Sequence, residues 1–360
     1  GVDVVSIVAP TVKAATRRVS ESLGKRLGYA GFISDFTAAF FTQGELNYDL
    51  WCELPDGHKD YIPGQKRDGR ICRKLKKLVP GTKGAPRGWY EHLAKELEKM
   101  DYIRSKADPC WFLKYDPADG QCIASFPVHV DDGKGRVRLD WCDRIEGELK
   151  ARFKLGDFKW TDWWNNDRKE KYHEVEHTGV KYEEHEHGVY FHQEHYLDAN
   201  LAEIRVDKDR AKMLDHPVTA TELRCYREAV GQLAWLCQHS RFEWLGESSF
   251  APSAVGDCRV KDLLAVNKLI RTIKHPDNRY KCYSPKLPLT GPLEILLIVD
   301  GGEGKQKSET EAGKAQSGYA IFLGVKDSKG TYQTNLIACR SHRGARVTHG
   351  SFDIECVSAI

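Results

Sequence analysis

Apolar residues recur along this chain in two rhythms, and those rhythms sort it into strands and helices before any chemistry is considered. The stretch YAGFISDFTAAFF predicts a buried strand over 29–36 that closes on Asp35. Pro86 suits the first turn of a helix, and Trp89, Leu93, Leu97 and Met100 follow at helical spacing, predicting a helix over 86–100. Val128 and Val130 precede the acidic pair Asp131-Asp132 and Val137 follows it, the pattern of a hairpin over 121–138. Ile145, Leu149 and Phe153 mark a further helix, and two more are predicted at 225–238 and 260–274. In the last of these Leu263, Val266, Ile270 and Ile273 form an apolar stripe, while Lys268, Arg271 and Lys274 form a basic one. Residues 275–292 hold four prolines and little periodicity, which places a domain boundary there. Beyond it LEILLIVD, SGYAIFLG and a segment near 332–340 predict three strands, and the chain stops at Ile360 within what reads as the opening of a helix.

Composition narrows the class. A chain of 360 residues has length for two or three domains, and 41% hydrophobic with 30% charged residues predicts a packed core rather than disorder. No run of about 18 apolar residues exists, so no membrane span is expected. The N-terminal stretch lacks a basic-then-apolar secretory pattern, and the 11 cysteines include no C-x-x-C pair. Both point to a reduced intracellular setting, cytoplasmic or nuclear, without a disulfide framework or zinc knuckle. The net charge of +3 says little, but its distribution says more. Lys66, Arg67, Arg70, Arg73, Lys74, Lys76, Lys77, Lys83 and Arg87 face only Asp68 between them. Such a segment is either a solvated basic loop or a surface that neutralises phosphates.

Asp35 and the Asp131-Asp132 pair each end an apolar run, with the basic segment between them in sequence. Three carboxylates brought together from these two places can hold two divalent ions, the equipment for in-line attack of a hydroxyl on a nucleoside triphosphate. Taken singly, Asp35 reads first as an exposed acid at the end of a strand.

SDFTAAFFTQGEL, ICRKLKKLVPGTKGAPRGWYEHL, SKADPCWFLK, VHVDD, LGDFKW, YREAVGQLAWLCQHSR, SGYAIFLG and SFDIECVSA occur in this order and span nearly the whole chain. Together they resemble the polymerase and ribonuclease H segment of copia-type retrotransposon polyproteins. The resemblance implies an α+β fold: a right-hand polymerase with fingers, palm and thumb, followed by a truncated α/β ribonuclease H-like domain. Its domains would be fingers and palm over 1–160, the remaining palm hairpin, thumb and connection over 161–285, and the partial ribonuclease H-like domain over 286–360. The implied activity is RNA-directed DNA polymerisation with Mg2+ or Mn2+, taking an RNA template, a DNA primer or RNA–DNA hybrid, and dNTPs. Asp35, Asp131 and Asp132 match the metal-binding palm aspartates. Phe40 matches the ring that excludes a ribose 2′-hydroxyl, although core packing explains a phenylalanine beside Phe41 as well. Lys83, Gly84 and Arg87 match the loop lining the nucleotide pocket, with Gly84 standing where the family usually has glutamine. Asp300 and Glu355 match two ribonuclease H carboxylates, and the remaining ones would lie beyond Ile360, leaving half a nuclease site.

Other departures fall at the hairpin. His129 stands where the family commonly has tyrosine, Pro127 removes a ladder donor, and Gly133-Lys134-Gly135-Arg136 replaces an apolar strand. They predict a weakened hairpin, and with it the competing reading: a catalytically inactive remnant that binds nucleic acid without extending it. His173-Glu174-Val175-Glu176-His177 formally matches the H-E-x-x-H protease motif. The alternating stretch behind it predicts a solvated hairpin instead, with no helix to align the two imidazoles, and leaves adventitious zinc or nickel binding by the clustered histidines as the lesser reading. Trp160, Trp163 and Trp164 read as sheet packing rather than a base-stacking platform, and Gly301, Gly302 and Gly304 as the turn after Asp300.

Overall fold

The computed structural model describes residues 8–37, 49–54, 66–67, 70–77, 79, 81–82, 84–161, 174–302 and 314–347. It is a mixed α/β protein that divides into two compact units, one of residues 1–13 and 31–159 and one of residues 14–30 and 160–360. Helix α1 (Ala14–Arg26) belongs to the second unit.

The first unit is built on strands β1 (Ala30–Phe36), β2 (Trp51–Glu53), β3 (Lys66–Arg67), β4 (Arg70–Lys74), β5 (Tyr102–Arg104), β6 (Trp111–Tyr115), β7 (Cys122–His129), β8 (Asp132–Val137) and β9 (Leu155–Trp160). Helices α2 (Ala85–Glu98) and α3 (Cys142–Arg152) complete it. Six strands form one sheet in the order β5-β6-β7-β8-β1-β9, and part of the basic segment forms a separate sheet, β2-β4-β3. Helix α2 starts with Pro86 in its first turn and buries Trp89, Leu93 and Leu97 on one side, as its spacing predicts. The core beneath is aromatic. The Phe32 ring lies 5.2 Å from Phe126 and 5.0 Å from Phe158, and Phe36 meets Phe153 edge-on at 5.1 Å and Trp89 at 5.6 Å.

The hairpin departs from expectation. Gly133 and Gly135 sit in a fully formed strand, β8, at the centre of the six-stranded sheet. A Cβ on Gly133 would lie 2.6 Å from the Phe126 ring, and one on Gly135 would overlap the Phe32 ring. The two glycines therefore do not leave the strand unpacked: the neighbouring rings fill the volume that apolar side chains would take. The proline does have a local effect. Pairing between β7 and β8 runs through Ala124↔Val137 and Ser125↔Arg136, then Val128↔Gly133 and His129↔Asp132, with Phe126 and Pro127 unmatched between them.

Helix α2 also fixes the turn. Trp89 donates its indole N–H to the Val130 carbonyl at 2.6 Å, and Val130 holds φ at +57°, a left-handed conformation unfavourable for a β-branched residue. Trp89→Phe is expected to destabilise the protein by about 1–3 kcal/mol by leaving that carbonyl unpaired, as read by equilibrium urea unfolding. An unchanged midpoint would show that the turn holds without this bond.

The second unit adds strands β10 (Glu174–His177), β11 (Val180–His185), β12 (Gly188–His192), β13 (Cys282–Pro285), β14 (Leu293–Gly302), β15 (Lys314–Lys326) and β16 (Tyr332–Val347). Its further helices are α4 (Glu194–Asn200), α5 (Ala220–His239), α6 (Leu245–Phe250) and α7 (Val260–Lys274). Thr219 and Glu222 form a reciprocal capping box that starts α5 five residues before the start expected at 225. Leu233, Leu236, Leu263, Val266, Ile270 and Ile273 make the helical core. Two sheets accompany it, β10-β11-β12-β13 and β14-β15-β16. The proline-rich segment contributes β13, which pairs with β12, so it is not structureless. Gly301 and Gly302 are not a turn: they extend β14 and pair with Ser317 and Gln316.

Candidate active site

Strand β1 lies between β8 and β9, so the end of the strand carrying Asp35 meets the hairpin turn directly. Phe36 donates its backbone N–H to the Asp131 carbonyl at 2.8 Å, and Thr37 donates to the Lys154 carbonyl at 2.9 Å. Side chains alternate across a sheet. The rings of Phe32 and Phe36 point into the aromatic core, and the gaps at Gly133 and Gly135 receive Phe126 and Phe32. Asp35 and Asp132 consequently project from the opposite face, with Asp131 in the turn beside them. Asp35 is exposed, and Asp131 and Asp132 are half-buried.

A third strand shapes the pocket of Asp35. A Cβ on Gly156 in β9 would lie 2.7 Å from Asp35 Oδ2 and 2.7 Å from Thr37 Oγ1. The carboxylate thus rests in space that only a glycine leaves. The next residue, Asp157, is a further acid that sequence reasoning passed over within LGDFKW, and Lys159 pairs with it at 2.7 Å.

Crowded negative charge marks this site. Partial burial, then the charges of Asp131 and Asp157, push the Asp35 carboxyl above its ordinary value. A folded state that binds the proton more tightly loses stability as pH rises from the ordinary carboxylate range through the raised value. Asp35→Asn removes that penalty. The variant is expected to be more stable than the parent at pH 7, with the gap closing on acidification, in urea unfolding run across pH. A gap constant with pH would mean that Asp35 is not the strained group.

The donor atoms of the three aspartates are not gathered as tightly as a metal shell: among the described residues, the trio with all donor atoms within 4.8 Å is Glu174, Glu183 and His192, in the other unit. Unscreened like charges hold carboxylates apart, and a cation between them removes that repulsion.

The remaining predicted residues are placed variously. Gly84 caps α2 with φ −85° and ψ −12°, a conformation open to any residue, so nothing in the backbone demands glycine there. Arg87 is tied to Glu91 at 2.6 Å, one turn along α2, and lies over the Tyr90 ring at 5.8 Å. Asp300 is exposed on β14 opposite Gly318. Phe40, Lys83, Trp163, Trp164 and Glu355 lie outside the described residues. The ten described cysteines are all free thiols. No described helix is long and apolar enough to cross a membrane.

No protein-family model matches the chain. Part of it is similar to retrovirus-related Pol polyproteins of plant transposons. One is that of transposon TNT 1-94 from Nicotiana tabacum, 29% identical over 161 residues, which cover 44% of this chain and 11% of the relative. Those of transposons RE1 and RE2 from Arabidopsis thaliana are 29% and 28% identical over 132 residues, covering 37% of this chain and 8% of each relative. The matched region is thus about a tenth of the relatives' length, and the similarity marks this chain as resembling one region of a retrotransposon polyprotein.

Proposed function

We propose that this chain is the RNA-directed DNA polymerase region of a retrotransposon polyprotein, transferring a nucleotide from a dNTP to a primer 3′-hydroxyl. One observation carries the reading: strand β1 delivers Asp35 beside the Asp131-Asp132 turn, joined through the Phe36-to-Asp131 backbone bond. The donor set suits Mg2+ or Mn2+, since all three groups are hard carboxylate oxygens and Asp35 already carries excess negative surroundings. When bound, the ions would lower the pKa of the attacking hydroxyl and neutralise charge on the triphosphate. Asp35 and Asp132 would hold them from the open face of the sheet and Asp131 from the turn. Trp89 would keep that turn in register, and Gly156 would leave Asp35 its place.

Phe40 would sit beneath the incoming sugar, and Lys83, Gly84 and Arg87 would line the phosphate side of the pocket, Arg87 after leaving Glu91. A right-hand architecture, and a ribonuclease H-like role for Asp300 and Glu355, belong to the same proposal. The test is extension of a DNA primer on an RNA template with Mg2+ or Mn2+, comparing the parent with Asp35→Asn. Extension by the parent that the variant loses supports the reading. Salt-sensitive binding of the template–primer with no extension under either ion replaces it with a nucleic-acid-binding remnant, a reading favoured by the aspartate donors not all lying within 4.8 Å of one another.

A further inference from the structure

The alternating stretch that formally carries H-E-x-x-H folds as three antiparallel strands, β10, β11 and β12, and their pleat separates the motif's own residues. His177 turns to the buried side with Val175, away from Glu174. A different set meets on the other face, one residue from each strand: Glu174, Glu183 and His192. Glu174 and Glu183 are direct cross-strand partners, a like-charge pairing that costs stability unless cationic groups offset it.

His192 supplies the second, independent observation. Its side chain is about nine-tenths buried, and its Nε2 has no hydrogen-bond partner among the described residues. That nitrogen lies 3.3 Å from Glu183 Oε1 and 3.9 Å from Glu174 Oε2. Tetrahedral ligands at about 2.0–2.1 Å from zinc stand roughly 3.3 Å apart, so the three donors, all within 4.8 Å of one another, draw in by up to about 1.5 Å to enclose one ion. On the far side of the ring, Nδ1 accepts from the Glu194 backbone N–H at 3.5 Å and lies 3.8 Å from Glu194 Oε2; moving the proton to Nδ1, where it would be donated to that carboxylate, frees Nε2 to ligate a metal. Two ammonium groups now serve the carboxylates: Lys181 on Glu174 at 2.6 Å, and Lys281 on Glu183. Their side chains are 28% and 35% exposed, so both can swing to water.

We propose that Glu174, Glu183 and His192 bind one zinc-class divalent cation, with Glu194 orienting the imidazole and a water completing the shell. One nitrogen and two carboxylate oxygens exclude a magnesium-type site, which takes oxygen donors alone. The ion would fasten β10, β11 and β12 to one another across their exposed face. This site is independent of the aspartates in the first unit.

The experiment loads the full chain with zinc, dialyses it, and measures bound metal by mass spectrometry and affinity by competition with a chromophoric chelator. One zinc per chain is expected to remain. Glu174→Gln, at a half-exposed position that does not threaten folding, and His192→Ala should each weaken binding at least about tenfold. Lys281→Ala, which removes a competing ammonium, should tighten it severalfold. His187→Ala, at an exposed histidine in the β11–β12 turn, should leave it unchanged. No retained zinc in the parent overturns the proposal. Equal retention by Glu174→Gln, or loss in His187→Ala, also overturns it, since either traces binding to the surface histidines.

Discussion

Replacing Asp131 and Asp132 together by asparagine is expected to abolish primer extension, by about a thousandfold or more, while the protein stays folded. The amides keep the size of the side chains but surrender the charge that holds a divalent ion. Metal ions supply several kcal/mol of transition-state stabilisation, and each 1.36 kcal/mol is a factor of ten in rate. The turn itself should survive, because its shape rests on the Trp89 bond to the Val130 carbonyl and on the Phe36 bond to the Asp131 carbonyl, both made by backbone acceptors. Full extension with both residues changed would remove the polymerase reading. Loss of extension accompanied by a collapsed melting transition would instead assign the pair to folding.

The second large effect is expected at a residue with no side chain. Gly156→Ala introduces a methyl whose carbon would lie 2.7 Å from both Asp35 Oδ2 and Thr37 Oγ1, well short of van der Waals contact. Both atoms end short side chains, so they move and the strand stays. The Asp35 carboxylate is the more exposed of the two and is displaced from its present position. Misplacing a reacting group by about an ångström costs on the order of a hundredfold in rate. Extension should therefore fall about a hundredfold, and Mn2+ affinity, followed by water-proton relaxation, should fall with it, while the urea midpoint hardly moves. Unchanged Mn2+ binding in this variant would show that Asp35 does not hold the ion from its present position. If the parent itself binds Mn2+ but extends no primer, the steric role of Gly156 remains measurable by relaxation alone.

Local pattern made much of the first unit legible. The apolar run before Asp35, the spacing of Trp89, Leu93 and Leu97, and the valines around Asp131-Asp132 each specify an element within a few residues of where it stands. Those signals depend only on neighbours a few positions away, which is why they survive in a sequence. Glycines misled for the same reason. Gly133 and Gly135 read as weakening a strand until the rings of Phe126 and Phe32 are seen against them, and Gly301-Gly302 resembles a turn until β15 is found paired alongside. The capping box of Thr219 and Glu222 was readable, since both residues lie within four positions, yet periodicity alone placed the start of α5 too late.

By itself, the sequence determined which segments alternate, where acids terminate apolar runs, and the partial likeness to transposon Pol polyproteins. Tertiary structure decided which of those ends meet. The order β8-β1-β9 sets Asp35 between the Asp131-Asp132 turn and Gly156, and the register of β10, β11 and β12 collects Glu174, Glu183 and His192 in place of the H-E-x-x-H residues. The reason is physical: strand pairing brings together residues remote in sequence, and a shift of one residue would turn each of these side chains to the opposite face.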